Sequence, residues 1–199
     1  MQNPDTKRVV AFVDGQNLFN AAKKAFGYSY PNYDAVKLAQ LVCGQQGNWT
    51  LVKLHFYTGM PSPEKDEERN RFWKSKLGAM GMKKPLVQTF SRPLVYRDGI
   101  GQEKGIDVRI AIDAVRYAHE NLYDIALIFS QDQDFSELAV EIKRIAETQG
   151  RWVTVASAYP VSPECANKRG IDKTDWIKID KTLYDQAIDT HNYRKPVVE

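Results

Sequence analysis

The stretch Val9-Val10-Ala11-Phe12-Val13-Asp14-Gly15-Gln16-Asn17 decides the fold. Its five apolar residues run without a polar break, the pattern of a strand covered on both faces. The run ends in an aspartate and a glycine, and Leu18 to Phe26 then reads as a helix stopped by Gly27. The pattern returns at Ile125-Ala126-Leu127-Ile128-Phe129, which ends in Ser130-Gln131-Asp132-Gln133-Asp134, with a helix predicted from Phe135 to Thr148 before Gly150. Two buried strands each feed a helix through an acidic turn.

Outward from these units, further helices are predicted from Asp34 to Val42, from Pro61-Ser62-Pro63 to the Gly78–Gly81 region, and from Ile106 to Leu122. Strands are expected at Leu51–Tyr57 and Trp152–Ala156, with a short one at Trp176–Ile179. Leu86–Phe90 and Leu94–Tyr96 flank Ser91-Arg92-Pro93, either as a hairpin or as successive short strands, and Arg97 to Glu103 reads as a glycine-rich turn or mobile lip. Strands alternating with helices imply an α/β fold of three layers, with a central, mostly parallel sheet between helices. No repeat or linker divides the chain. Residues 1–8 read as an N-terminal segment, 9–190 as one domain and 191–199 as a loose tail.

The net charge of +3 permits an anionic partner without demanding one. Only two cysteines occur, Cys43 and Cys165, without CxxC spacing, which argues against a disulfide scaffold or a cysteine-ligated zinc site. No stretch approaches the roughly 20 apolar residues of a membrane helix, so the expectation is a soluble, cytoplasmic protein with no membrane association. The apolar strand edges make a homodimer conceivable.

In parallel sheets, functional groups gather beyond the carboxyl ends of the strands. Asp14, Asp132 and Asp134 follow the two most apolar strands directly, and Asp107 lies in the first turn of its helix after Lys104-Gly105. If those strands are neighbours, the four carboxylates meet at one edge, where their repulsion requires a cation, a proton or abundant water. Mg2+ and Mn2+ prefer such oxygen ligands. Each aspartate also has a plainer role: Asp14 as a turn or helix cap, Asp107 at a helix dipole, and Asp134 as the cap of the helix from Phe135. Asp132 is hardest to explain as a cap. Asp107 shares a helical face with the small residues Ala111, Ala114 and Ala118, which would let the helix approach the sheet; Asp113 lies on an apolar stripe with Ile106, Ile110 and Tyr117 and needs a partner.

Three segments in this order resemble the signatures of the NYN domain family, in its LabA-like branch of the PIN-like nuclease superfamily. They are Val13-Asp14-Gly15-Gln16-Asn17-Leu18, Lys104-Gly105-Ile106-Asp107-Val108 with Asp113, and Ser130-Gln131-Asp132-Gln133-Asp134-Phe135. The resemblance spans roughly Val9 to Ala156. It implies a PIN-like, Rossmann-like fold and a Mg2+- or Mn2+-dependent ribonuclease, with Asp14, Asp107, Asp132 and Asp134 as catalytic metal ligands. It further implies that Asn17 orients a ligand or phosphate, Ser130 supports the same loop and Lys104 contacts a phosphate, the partner being single-stranded or structured RNA. Gln131 stands where the family commonly has glycine, so a positive φ there would strain the loop.

Further RNA contacts are conceivable at Arg69, Arg71 and Lys74, at Lys83, Lys84, Arg92 and Arg97, and at Lys168, Arg169 and Lys173, while Phe72 and Trp73 are expected in the core. His55, His119 and His191 lack metal-ligand spacing. The alternative is a non-catalytic nucleic-acid-binding module that keeps the fold. A haloacid-dehalogenase-like phosphatase would need a second aspartate where Gln16 stands, a TOPRIM-type site a glutamate near Asp14-Gly15, and a dinucleotide-binding dehydrogenase the GxGxxG spacing that Gly99-Ile100-Gly101 lacks.

Overall fold

The computed structural model describes residues 3–83 and 86–194. Six strands form one sheet: β1 (Lys7–Asp14), β2 (Trp49–Met60), β3 (Val87–Pro93), β6 (Ile125–Phe129), β7 (Thr154–Pro160) and β8 (Asp175–Ile179). Their order is β3-β2-β1-β6-β7-β8, and every neighbouring pair is parallel. The strand order reverses between β1 and β6, the switch point at which such sheets open a crevice at their carboxyl ends.

The uninterrupted apolar runs of β1 and β6 follow from this position. Val9, Ala11 and Val13 pack on one face with α1 (Gly15–Phe26), α2 (Ala35–Gln45), α3 (Glu67–Gly81) and α6 (Lys181–Gln186). Val10 and Phe12 pack on the other with α4 (Ile106–His119) and α5 (Ser136–Thr148). The result is three layers. No helix among the described residues is long and apolar enough to cross a membrane. The edge strands carry Arg92 and Pro93 in β3 and exposed Asp175 and Lys178 in β8, features that discourage pairing between copies.

Several local expectations change. α1 begins at Gly15, so Gly15-Gln16-Asn17 is the first turn of the helix and not a loop before it. Gly15 is required there: a Cβ would lie 2.7 Å from the Phe56 ring and 2.8 Å from the Tyr57 carbonyl oxygen. β3 runs unbroken through Ser91-Arg92-Pro93, because its partner is β2 and not a following strand. The predicted lip is instead a hairpin of β4 (Val95–Arg97) and β5 (Ile100–Gln102). Its turn is Asp98-Gly99, both at positive φ (49° and 78°), as a two-residue hairpin requires. α4 stops at His119 and β7 extends to Pro160. The chain from His191 to Arg194 is docked and not loose, with Tyr193 donating to Asp189 (2.9 Å) and meeting Phe72 edge-on; residues 195–199 lie outside the described residues.

Candidate metal and phosphodiester site

β1 and β6 are adjacent, which brings their terminal aspartates to one edge. Asp14 ends β1, is 8% exposed, and accepts a hydrogen bond from the Asn17 N–H (2.9 Å), so it caps α1. Burial pushes its pKa up to about 6; the Asn17 and Gln16 N–H groups oppose the rise, and the charges of Asp132 and Asp107 add to it. Those three carboxylates therefore share one electrostatic environment.

Asp132 caps the short turn Gln133–Phe135 by accepting from the Asp134 N–H (3.1 Å), and its own N–H donates to the buried Ser130 hydroxyl (3.1 Å). The cap expected at Asp134 thus belongs to Asp132. Asp134 is exposed, and its charge is not among those acting on Asp14. Asn17 joins the two strand ends, its side-chain oxygen accepting from the Gln131 N–H (3.0 Å). Gln131 has no positive φ, so no strain arises, and its side chain donates to the Arg169 carbonyl (2.8 Å), a tether that glycine lacks.

Asp107 is half-buried at the flank of α4, since the packed stripe is Ile106, Ile110, Asp113, Ala114, Tyr117 and Ala118. Asp113 is buried and satisfied locally: it accepts from Tyr57 (3.0 Å) and Arg109 (2.8 Å) and pairs with Arg116 (3.3 Å). Its role is structural.

A residue that the sequence reading placed only at the end of the lip also belongs to this edge. Glu103, just past β5, accepts a hydrogen bond from the Gly59 N–H at the end of β2. Burial pushes its pKa up to about 7; the Gly59 N–H opposes this, the charges of Asp14 and Asp107 add to it, and Arg69 draws it down. Gly59 leaves the room, as a Cβ would lie 2.6 Å from the Glu103 Cγ. The signal was a lone glutamate at the end of the predicted lip, pointing nowhere until the β4–β5 hairpin folds it back toward β2.

Among the described residues, none of Asp14, Glu103, Asp107, Asp132 and Asp134 forms an ion pair with a lysine or arginine. Nor do any three acidic, histidine or cysteine side chains there stand close enough to enclose one metal ion. His55 is buried against Phe12 and Tyr57, and burial drives its pKa down to about 4.

The candidate phosphate contacts divide. Lys104 is exposed, and the Arg92 guanidinium lies against Gly105 at the start of α4. Lys83 pairs with Asp34 (2.7 Å), Arg71 with Glu67 (2.6 Å), Arg169 with Asp172 (2.8 Å) and Lys173 with Glu137 (3.1 Å), and Lys168 donates to the Pro163 carbonyl. Lys84 lies outside the described residues. Phe72 and Trp73 are core residues, as expected.

No curated protein matches the chain. Among solved structures, a protein of unknown function from Vibrio parahaemolyticus is similar in fold, with a TM-score of 0.57 and 23% identity over 91% of this chain and 98% of that one. The model of the NYN domain matches residues 8–175, from the first strand to the last and across all three acidic segments; the chain belongs to the NYN domain family.

Proposed function

We propose that the protein is a metal-dependent ribonuclease that hydrolyses RNA phosphodiester bonds at the crevice between β1 and β6. The observation that carries this is a buried Asp14 flanked by Asp132, Asp107 and Glu103 with no cationic side chain paired to any of them among the described residues. A structural carboxylate at this depth is normally neutralised by a partner, and here a divalent cation would supply the positive charge that no described side chain does.

The donor set fits Mg2+ or Mn2+, being hard oxygens throughout. No three of these side chains enclose an ion, but Mg2+ keeps several waters beside one or two carboxylates and does not need three. When bound, such an ion supplies Lewis-acid polarisation of a phosphoryl oxygen and a water of lowered pKa. Asp14, Asp107 and Asp132 would hold it. Asp134, exposed on the same turn, would act through solvent. Asn17 is anchored through its oxygen, which leaves its amide N–H groups to orient a phosphate. Ser130 fixes the backbone that presents Asp132. Lys104, free at the surface, would contact the RNA backbone.

The test compares cleavage of RNA by wild type and Asp132→Asn in Mg2+, Mn2+ and EDTA. Metal-dependent cleavage lost in the variant is expected, whereas equal, EDTA-resistant cleavage by both would sink the reading. The wide spacing of the carboxylates favours a second reading, a non-catalytic RNA-binding module, which predicts retained RNA without product in every condition.

A further inference from the structure

Beside the carboxylate edge, between α1 and α3, lies a cavity of about 500 Å3. Gly15, next to Asp14, lines it, while none of the carboxylates of the site does. Gln16 lies two positions beyond Asp14, buried Thr58 precedes the Gly59 that binds Glu103, and the charge of Arg69 acts on Glu103. Its walls include Phe19 and Tyr30, the latter 40% exposed, and its base is the buried Phe72-Trp73 pair. Arg194 forms the outer rim, its guanidinium over the Tyr30 ring and 3.5 Å from Glu68. Lys23, Arg69, Asp66 and Glu68 also line it; Asp66 accepts from the Arg69 N–H (2.9 Å) and Glu68 faces Arg194, while neither Lys23 nor Arg69 forms an ion pair among the described residues.

We infer that this cavity is a subsite for one unpaired nucleotide of the RNA, adjoining the phosphodiester held at the aspartate edge. This rests on the ribonuclease reading and names the form of its substrate. The size suits a base with its sugar, since small-ligand pockets run about 300 to 1,000 Å3. The chemistry suits it too. The Phe19 ring, and the Tyr30 face opposite Arg194, can stack on any base, which helical pairing would withhold, and cations beside them meet the flanking phosphates. Gln16 supplies an amide group for a base edge, while the buried Thr58 hydroxyl beside it donates to the Gly59 carbonyl (3.3 Å). A duplex cannot place a base in a recess between two helices, so the subsite selects single-stranded segments.

The probe is a fluorescein-labelled single-stranded octaribonucleotide, with a blunt RNA duplex of the same length as control. Anisotropy is read in EDTA on Asp132→Asn, which separates binding from cleavage, and on the same protein carrying Tyr30→Ala, Tyr30→Phe or Lys23→Ala. Tyr30 is exposed enough that its alanine variant should fold, and melting curves verify this. Loss of one stack should weaken single-strand binding roughly 5- to 150-fold, with Tyr30→Phe near the parent and duplex affinity unmoved. Lys23→Ala should weaken single-strand binding and flatten its salt dependence. Unchanged affinity in both alanine variants, or an equal loss for duplex and single strand, would overturn the subsite. Metal-dependent cleavage in wild type with that null binding result leaves the ribonuclease reading intact. Pocket-dependent binding without cleavage does the reverse.

Discussion

Replacing Asp14 by asparagine separates the charge of this side chain from its shape. The asparagine oxygen still accepts from the Asn17 N–H and the volume hardly changes, so the helix cap survives. Burial, with Asp132 and Asp107 nearby, pushes the Asp14 pKa from 3.8 up to about 6. At about 1.4 kcal/mol per pKa unit, the ionised group costs the folded state roughly 3 kcal/mol at pH 8. The sign follows from proton binding. The folded chain holds this proton more tightly than the unfolded chain, so stability is greatest at acid pH, falls as pH rises through the interval from 3.8 to about 6, and is level above it. In EDTA, Asp14→Asn should therefore exceed wild type by about 1.5 kcal/mol at pH 5 and by about 3 kcal/mol at pH 8. Urea unfolding at the two pH values measures this difference. With Mg2+ or Mn2+ the wild type should recover stability through ligand binding and the variant should not, while RNA cleavage by the variant is lost. A variant less stable than wild type at pH 8, or a difference that does not widen between pH 5 and pH 8, refutes the claim that this carboxylate is held uncompensated.

Other substitutions test the remaining parts of the site. Asp132→Asn should lower metal-dependent cleavage by about 100-fold or more, whereas Asp134→Asn, at an exposed position, should cost about 10-fold or less; initial rates on one RNA decide, and equal losses would return Asp134 to the ligand set. Gly59→Ala forces a methyl group against the Glu103 side chain and should destabilise by about 1 to 3 kcal/mol and reduce cleavage, read by urea unfolding and by rate. Asp113→Ala leaves the Tyr57 hydroxyl without its acceptor in the core, while Arg109, 38% exposed, can turn to solvent, and should cost about 1 to 3 kcal/mol in the same unfolding assay.

The layers and the acidic edge were legible because their signal is dense. An uninterrupted apolar run such as Val9–Val13 or Ile125–Phe129 has few solutions other than a strand buried on both sides, and an aspartate at its end lands at the sheet's carboxyl edge whatever the rest of the chain does. What was illegible depends on pairing. Whether Val87–Pro93 is one strand or half a hairpin turns on which neighbour it finds, and β2 supplies that neighbour from across the chain. Glu103 was invisible for the same reason: its place follows from the β4–β5 hairpin and the absent side chain of Gly59, not from any local pattern. Ala114 and Ala118, on the Asp107 side of α4, are buried as the spacing implied, but Ile106, Ile110 and Tyr117 are buried beside them, so the centre of the packed face lies away from Asp107 and leaves it half-buried.

Capping and function are not rival explanations of these aspartates. A parallel strand that feeds a helix places the helix's unbonded N–H groups at the sheet's carboxyl edge, so the same geometry that draws a cap also draws a phosphate or a metal-bound anion. Two caps in this chain show what separates them. Asp34 caps α2 through the Val36 and Lys37 N–H groups and also takes Lys83 at 2.7 Å. Burial pushes its pKa up, but Lys83 and those N–H groups hold it below the usual range. Asp14 caps α1 in the same way, with no lysine or arginine paired to it among the described residues and with two further carboxylates, and burial raises its pKa to about 6. The local motif is shared; the electrostatic balance has opposite sign. Asp34 lies beside a cation and Asp14 beside two further carboxylates, and the uncompensated charge at the switch point of the sheet is the feature on which the proposed metal site rests.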